Sequence, residues 1–388
     1  MTPPYYYYAT FILSFLLVLW IHPRLVRIAL LKDIVDRPGF RKFQSRPVPV
    51  LGGVAVFFGI VVSLGCMSIV VSYSGMPIIV TSLLVMLYLG TMDDILNLSA
   101  LFRLVVEVVV VLLLLFIGGC EITDFHGLWG VDALPRYVSI PLTVFASVGI
   151  INAINLVDGV NGLSSGFCIV ASLFFGIYFC QSGDVSMQVL SVSSMGALFP
   201  FFLHNVFGRR SRMFIGDGGT LVMGTVMSIF VTKVLSEDTV ISPFGFSNVG
   251  LIPFTLSVLS IPVFDTLRVM TTRLLRGVSA FHPDRTHLHH LFLTLGCSHV
   301  ATTLVIVGLN TLVVVFWWLL VVLGAGVDIQ LYGVVALSLC LTLLLYHFLQ
   351  RSLRRDTRFI GQLRRFGYRT HISRTGVYLW LQRVVDKF

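Results

Sequence analysis

The chain has 388 residues, of which 56% are hydrophobic and only 12% charged, with a mean hydropathy of +0.92 and a formal net charge of +9. Soluble domains carry about 25% charged residues, so this composition excludes an ordinary soluble enzyme and a disordered chain alike. The apolar residues come in blocks of 15 to 24 between short polar stretches, the pattern of an all-α, polytopic membrane bundle. A transmembrane β-barrel would instead show segments of about 10 residues with strict alternation.

In chain order the apolar segments fall near 8–29, 50–71, 77–92, 104–119, 138–154, 164–181, 187–203, 219–235, 250–272, 300–323 and 329–349, eleven in all. Tyr5 to Tyr8 suit an interfacial aromatic belt. No basic region precedes the first block, so that helix is expected to be retained and not cleaved as a signal peptide. With an outside N-terminus, eleven spans put 25 of the 27 Lys and Arg residues on one side, leaving only Arg136 and Lys233 on the other. Basic residues mark the cytoplasmic face. This predicts a periplasmic N-terminus, a cytoplasmic C-terminus, and a transmembrane domain over 1–350 with catalytic loops on the cytoplasmic side. A basic, partly amphipathic tail over 351–388 lies on the inner leaflet, where anionic lipids attract it. The basic surplus is thereby explained without nucleic-acid binding. The six cysteines (66, 120, 168, 180, 297 and 340) lack CxxC spacing and read as small hydrophobes.

The conspicuous polar motifs all fall on the basic side. Asp93-Asp94 end the third block; two acids at a helix C-terminus oppose the helix dipole and call for a cation, a metal or a raised pKa. Arg103 and Glu107, four apart on the next helix, suit a structural ion pair. The fifth block closes on Asn152-Ala-Ile-Asn155-Leu-Val-Asp158-Gly159-Val-Asn161-Gly162, which has more oxygen donors than a turn needs and suits magnesium. Gly216-Asp217-Gly218-Gly219-Thr220 opens the eighth block. Asp217 is there either a helix cap or a metal holder beside amides that approach a phosphate. Asp265 lies deep in the ninth block and should pair with a histidine, an arginine or a metal. In the following loop Arg285, His287, His289 and His290 allow an anion site or a zinc site, for which Cys297 is the only nearby thiol. Acids, carboxamides, glycine turns and His/Arg on one face suggest metal-assisted phosphoryl transfer at the membrane surface.

DDILNLSALFR, NAINLVDGVNGL, MFIGDGGT, PVFDT and PDRTHLHH, in this order, resemble the polyprenyl-phosphate N-acetylhexosamine-1-phosphate transferase family from about Val35 to about Leu295. VDRPGFRKF followed by PVPVLGG resembles its first cytoplasmic loop, and the HLHH form is similar to the WecA branch. The resemblance implies an eleven-span bacterial inner-membrane enzyme. It would transfer N-acetylglucosamine 1-phosphate from UDP-N-acetylglucosamine to undecaprenyl phosphate, release UMP, and supply a lipid intermediate for a surface polysaccharide of the O-antigen or enterobacterial-common-antigen kind. It implies magnesium, with manganese able to substitute, and membrane lipids as partners; a homodimer is compatible with it. Asp93, Asp94 and Asp158 are the implied catalytic acids, and Asp217, Asp94 and Asn155 the implied metal holders. His287, His289, His290, Arg285, Asn152, Asn161, Gly216 and Asp265 are the implied substrate-binding set. Asn161 departs from the family pattern, which often has an acid there; Arg103 and Thr220 stand for the commoner Lys and Ser. Three alternatives stay open: another UDP-N-acetylhexosamine, a proton- or cation-coupled secondary transporter, and a zinc-binding scaffold.

Overall fold

The computed structural model describes residues 5–36, 47–68, 75–236, 245–280, 285–370 and 376–387. The basic residues between 37 and 46, and His282, Pro283 and Asp284 before the histidine segment, lie outside the described residues. Each apolar block forms a helix: α1 (Tyr5–Leu31), α2 (Gly52–Met67), α3 (Met76–Leu96), α4 (Ala100–Phe116), α5 (Arg136–Val157), α6 (Leu163–Ser182), α7 (Val185–Phe207) and α8 (Gly216–Val234). After these come α9 (Leu251–Val258), α10 (Ser260–Leu275), the short α11 (Leu288–Thr294), α12 (His299–Val322), α13 (Val327–Leu339) and α14 (Leu345–Arg354). The basic tail forms α15 (Arg358–Arg369) and α16 (Val377–Val385). Two small antiparallel ribbons join helices. In one, β1 (Val35–Asp36) pairs with β2 (Val48–Pro49); in the other, β3 (Asp124–Leu128) pairs with β4 (Val131–Ala133).

The chain is a multi-pass helical membrane protein. Among the described residues, seven helices are long and apolar enough to cross a bilayer (α1, α3, α5, α6, α7, α12 and the α13–α14 rod), and α9–α10 make eight if counted as one span. Of the other blocks, α2 and α4 have 16 and 17 residues, short of the about 20 that a span needs. Helix α8 dilutes its apolar side chains with glycine and hydroxyls. It is buried by protein almost throughout, and Thr225, Ser228 and Thr232 return their hydroxyls to its own carbonyls.

The expected ninth span is broken: α9 and α10 meet at 75°. Pro262 in the first turn of α10 cannot donate a backbone hydrogen bond, which favours a fresh helix start over a continuous rod. The opened backbone is satisfied by Asn310 of α12. Its oxygen accepts from Ile261 N and Ser260 Oγ at 3.0 Å, and its amide donates to Val258 O at 2.8 Å. Because a side chain closes this break, it does not form the open half-helix ion site of a transporter.

Helix α8 is the axis of the bundle, and glycines let its N-terminus sink to the centre. A Cβ on Gly53 would lie 2.2 Å from Gly219 N, and one on Gly90 of α3 would lie 2.4 Å from Asp217 O. The approach is locked by Gly52 N donating to Phe214 O (3.0 Å), Gly53 N to Ile215 O (2.7 Å) and Phe214 N to Pro49 O (2.8 Å). The PVPVLGG segment is thus the seat on which the GDGG helix start rests. A second, smaller core joins Leu288, Leu291 and Leu295 around α11 to Tyr346 and Leu349 of α14 and Ile360 of α15, so the tail begins as packed structure.

The two ends of the bundle differ in chemistry, which gives a test of orientation. Cys297 lies half-buried beside α11 on the motif-bearing end, whereas Asp132 is exposed on the β3–β4 hairpin. Cys120 is buried, with its thiol against Gly118 O, and is a poor reporter. A membrane-impermeant thiol reagent added to intact cells is expected to label Asp132→Cys and to spare Cys297 until the cells are opened. Labelling of Cys297 from outside would reverse the orientation.

Candidate active site

Asp217 sits in the first turn of α8, but its side chain does not cap the helix. Its Oδ1 accepts from Asn155 Nδ2 of α5 at 2.9 Å, and its Oδ2 lies 3.5 Å from Arg103 Nη1 of α4. The same Arg103 nitrogen is 2.6 Å from Asp93 Oδ2 of α3, and Nη2 donates to Asn155 Oδ1 at 3.3 Å. Arg103 therefore bridges to the two acids and does not bond Glu107, contrary to the expected i,i+4 pair. Glu107 is instead buried and accepts from Asn152 Nδ2 at 2.5 Å. Asp93 is further held by Leu98 N at 2.7 Å, where Asn97 in a left-handed conformation ends α3. Asn155, which also donates to Thr220 Oγ1 at 2.8 Å, turns its oxygen to Arg103 and so orients Asp217.

Asp94 projects beside Gly216, whose φ of +69° and lack of a side chain make room for it; a Cβ there would lie 2.5 Å from Asp94 Oδ2. Gly218 N is 3.5 Å from that oxygen. Asp158 caps the end of α5 and accepts from Ser164 Oγ at 2.8 Å. It is reachable from the cavity yet enclosed by protein, and this desolvation pushes its carboxyl up to about 7 despite the Ser164 bond, with Asp217 adding repulsion. Carboxylates this crowded, beside a single bridging arginine, favour a cation.

These groups face a cavity of about 1730 Å³ at the motif-bearing end. Of the residues singled out from sequence, Asp93, Asp94, Asp158, Asn161, Gly216, Asp217 and His290 line it, whereas Asn152, Asn155, Asp265, Arg285, His287 and His289 do not. Asp265 pairs with Arg268 (2.7 Å) and with His287 Nδ1 (3.0 Å), and accepts from Leu288 N (3.1 Å), so it anchors the histidine segment to α10. His289 is buried against Gly159, where a Cβ would meet its Nε2 at 2.3 Å. Burial, with His290 and His287 adjacent, lowers its pKa well below the ordinary histidine range. Three cavity groups escaped notice: the arginines 209, 210 and 212, His299, and Tyr378 with Gln382 of α16. The RRSR run was legible only as positive-inside charge. His299 reveals itself through Asn161 N, which donates to its Nδ1 at 3.3 Å.

Among the described residues, no three His, Cys, Asp or Glu side chains cluster closely enough to hold a metal by themselves. One or two of the cavity carboxylates Asp94, Asp158 and Asp217 fit magnesium, which takes one or two carboxylates and leaves its other positions to water and phosphate oxygens.

The glycosyl transferase family 4 pattern matches residues 76–235, the stretch that carries Asp93, Asp94, Asp158 and Asp217. The chain is similar to an undecaprenyl-phosphate alpha-N-acetylglucosaminyl 1-phosphate transferase of Escherichia coli O157:H7, 29% identical over 68% of this chain and 70% of that protein. One of the same description from Yersinia pestis is 27% identical over 87% and 90%. A probable undecaprenyl-phosphate N-acetylglucosaminyl 1-phosphate transferase of Bacillus subtilis (strain 168) is 31% identical over 76% and 80%.

Two substitutions probe this geometry. Asp217 does not cap α8 and Asn keeps its shape and one acceptor oxygen, so Asp217→Asn should leave a folded protein with turnover lowered at least about 100-fold; near-normal turnover would return Asp217 to a structural role. Gly159→Ala drives a methyl into the buried His289 and should cost about 1–3 kcal/mol in stability, read as a lower melting temperature; an unchanged melting curve would contradict that contact.

Proposed function

The chain belongs to the polyprenyl-phosphate N-acetylhexosamine-1-phosphate transferase family, in its WecA-like branch, and on that premise we propose that it transfers N-acetylglucosamine 1-phosphate from UDP-N-acetylglucosamine to undecaprenyl phosphate. A new P–O bond forms at the sugar-bearing phosphorus, the bridging P–O bond of the donor's diphosphate breaks, and UMP leaves. The observation that carries this reading is the cavity itself, lined by Asp93, Asp94, Asp158 and Asp217 together with arginines at one end of a helical membrane bundle.

When bound, magnesium would neutralise the diphosphate oxygens and stabilise charge on the departing UMP, held by one or two of the carboxylates of Asp94, Asp158 and Asp217. Burial raises the proton affinity of Asp217, and Arg103 and Asn155 offset part of that rise and fix the carboxylate in direction. His290, at the cavity wall, and the arginines 209, 210 and 212 bring donors and positive charge to the donor's phosphates. His287 and His289 act from behind by holding the segment: one is tied to Asp265, the other is wedged at Gly159. The lipid acceptor reaches the cavity laterally while its isoprenoid chain stays in the bilayer. With eleven spans and the basic face inward, the site opens to the cytoplasm at the inner membrane, and the tail after 350 rests on the same surface.

Incubating the purified protein with undecaprenyl phosphate and a panel of UDP-sugars should give lipid-linked product and UMP with UDP-N-acetylglucosamine. Turnover confined to another UDP-N-acetylhexosamine would change the donor, and none with any member would remove the reading. Asn161 lines the cavity, and α12 holds its backbone through His299 and Thr303, which favours a loop-shaping role. Asn161→Asp should therefore move the magnesium half-saturation point less than about threefold, or under roughly 0.7 kcal/mol. A tenfold fall in requirement would place Asn161 among the metal ligands.

A further inference from the structure

Helix α16 belongs by sequence to a basic tail, yet it packs against α7 at the cavity rim. Tyr378, Gln382 and Asp386 are spaced four apart and make one stripe along it. Tyr378 and Gln382 line the cavity, and the Tyr378 ring lies 5.4 Å from that of Phe207. Asp386 sits at the helix C-cap, where the dipole disfavours an acid, so the helix itself gains nothing from it. Its carboxylate is instead received by the loop after α7. Oδ1 accepts from Arg209 N and Arg210 N at 3.0 Å, from Ser211 N at 3.2 Å and from Ser211 Oγ at 3.0 Å; Oδ2 accepts from Arg209 N at 3.3 Å. Successive amides of this kind form a nest for an anion. Burial works against the charge, but these donors outweigh it and hold the carboxyl below its ordinary range. From the other side His22 Nε2 of α1 bonds Ser211 O at 2.8 Å. The loop is thus clamped between α1 and α16. It carries Arg209, Arg210 and Arg212 into the cavity, and Arg212 Nε is buried with no hydrogen-bond partner among the described residues.

We propose that α16 is a wall of the donor site: Asp386 is a positioning residue that sets the arginine loop, and Tyr378 and Gln382 face the bound nucleoside diphosphate. This rests on the transferase reading above. The chemistry favours the donor over the lipid, because guanidinium groups, an aromatic ring and a carboxamide match a nucleotide diphosphate, whereas an isoprenoid chain would need an apolar wall.

Steady-state kinetics of the full chain in lipid–detergent micelles, with UDP-N-acetylglucosamine and undecaprenyl phosphate varied in turn, are compared for wild type, Asp386→Ala, Asp386→Asn and Gln382→Leu. UDP affinity is measured on each protein by calorimetry. Asp386→Ala and Gln382→Leu should each raise the donor KM and weaken UDP at least about fivefold. The lipid KM and kcat should stay within about twofold, and Asp386→Asn, which keeps the Oδ1 acceptor, should recover part of the loss. If Asp386→Ala does not fold, Gln382→Leu decides alone, since its side chain takes no part in the latch. Unchanged donor KM and UDP affinity in folded variants, or a rise confined to the lipid KM, would overturn the proposal. A wild type that binds UDP through Gln382 but transfers nothing would sink the transferase reading and leave the wall standing. A wild type that fails to bind UDP would remove both.

Discussion

One guanidinium ties the centre of this protein together. Arg103 of α4 reaches Asp93 of α3, Asp217 of α8 and the carboxamide of Asn155 on α5, so four helices meet at a single planar fork. Without it, two carboxylates would face each other in a partly desolvated space, where like charges raise one another's proton affinity. A lysine could supply the charge but not the forked geometry. The remaining acids, Asp94 and Asp158, line the same cavity as Asp93 and Asp217.

That convergence is possible only because backbone takes the place of side chains around it. Gly52, Gly53, Gly90 and Gly216 bring α2, α3 and α8 to distances at which any Cβ would collide. The acids thus stand on rigid helix ends and not on loops, which is what a site that must hold phosphate oxygens in fixed positions requires. Two tethered segments surround this floor. The histidine segment is tethered by Asp265, and the arginine loop is held between His22 and Asp386. The acids and the basic segments are therefore built on different elements, a floor of helix ends and a clamped rim.

Much of this was legible in the chain itself. The apolar blocks became helices, the ninth as the bent pair α9–α10, and the acids at 93, 94, 158 and 217, far apart in sequence, do line one cavity. Asp265 found both kinds of partner expected of a buried acid, an arginine and a histidine. What could not be read was set by tertiary contact. Periodicity put Arg103 opposite Glu107, but a 2.6 Å contact with Asp93 on the preceding helix won. Three histidines in four positions looked like one ligand set, yet burial divides them, and only His290 lines the cavity. The break between α9 and α10 depends on Asn310, which is distant in sequence. The arginines at 209–212 were absorbed by the topology count, since a positive-inside charge looks the same whether or not it also meets a substrate.

The account stands or falls on whether Arg103 organises the acids or merely accompanies them. A double-mutant cycle of Arg103→Met and Asp93→Asn, read by melting temperature and by transfer rate on the same preparations, separates the two. The account predicts that Arg103→Met alone is strongly destabilised, by about 3–5 kcal/mol, because it strands Asp93 and Asp217. Adding Asp93→Asn should recover much of that stability while the transfer rate stays low, since Asp217 is still without its partner. Strictly additive effects on stability, or a single Arg103→Met protein that melts and turns over like wild type, would contradict it.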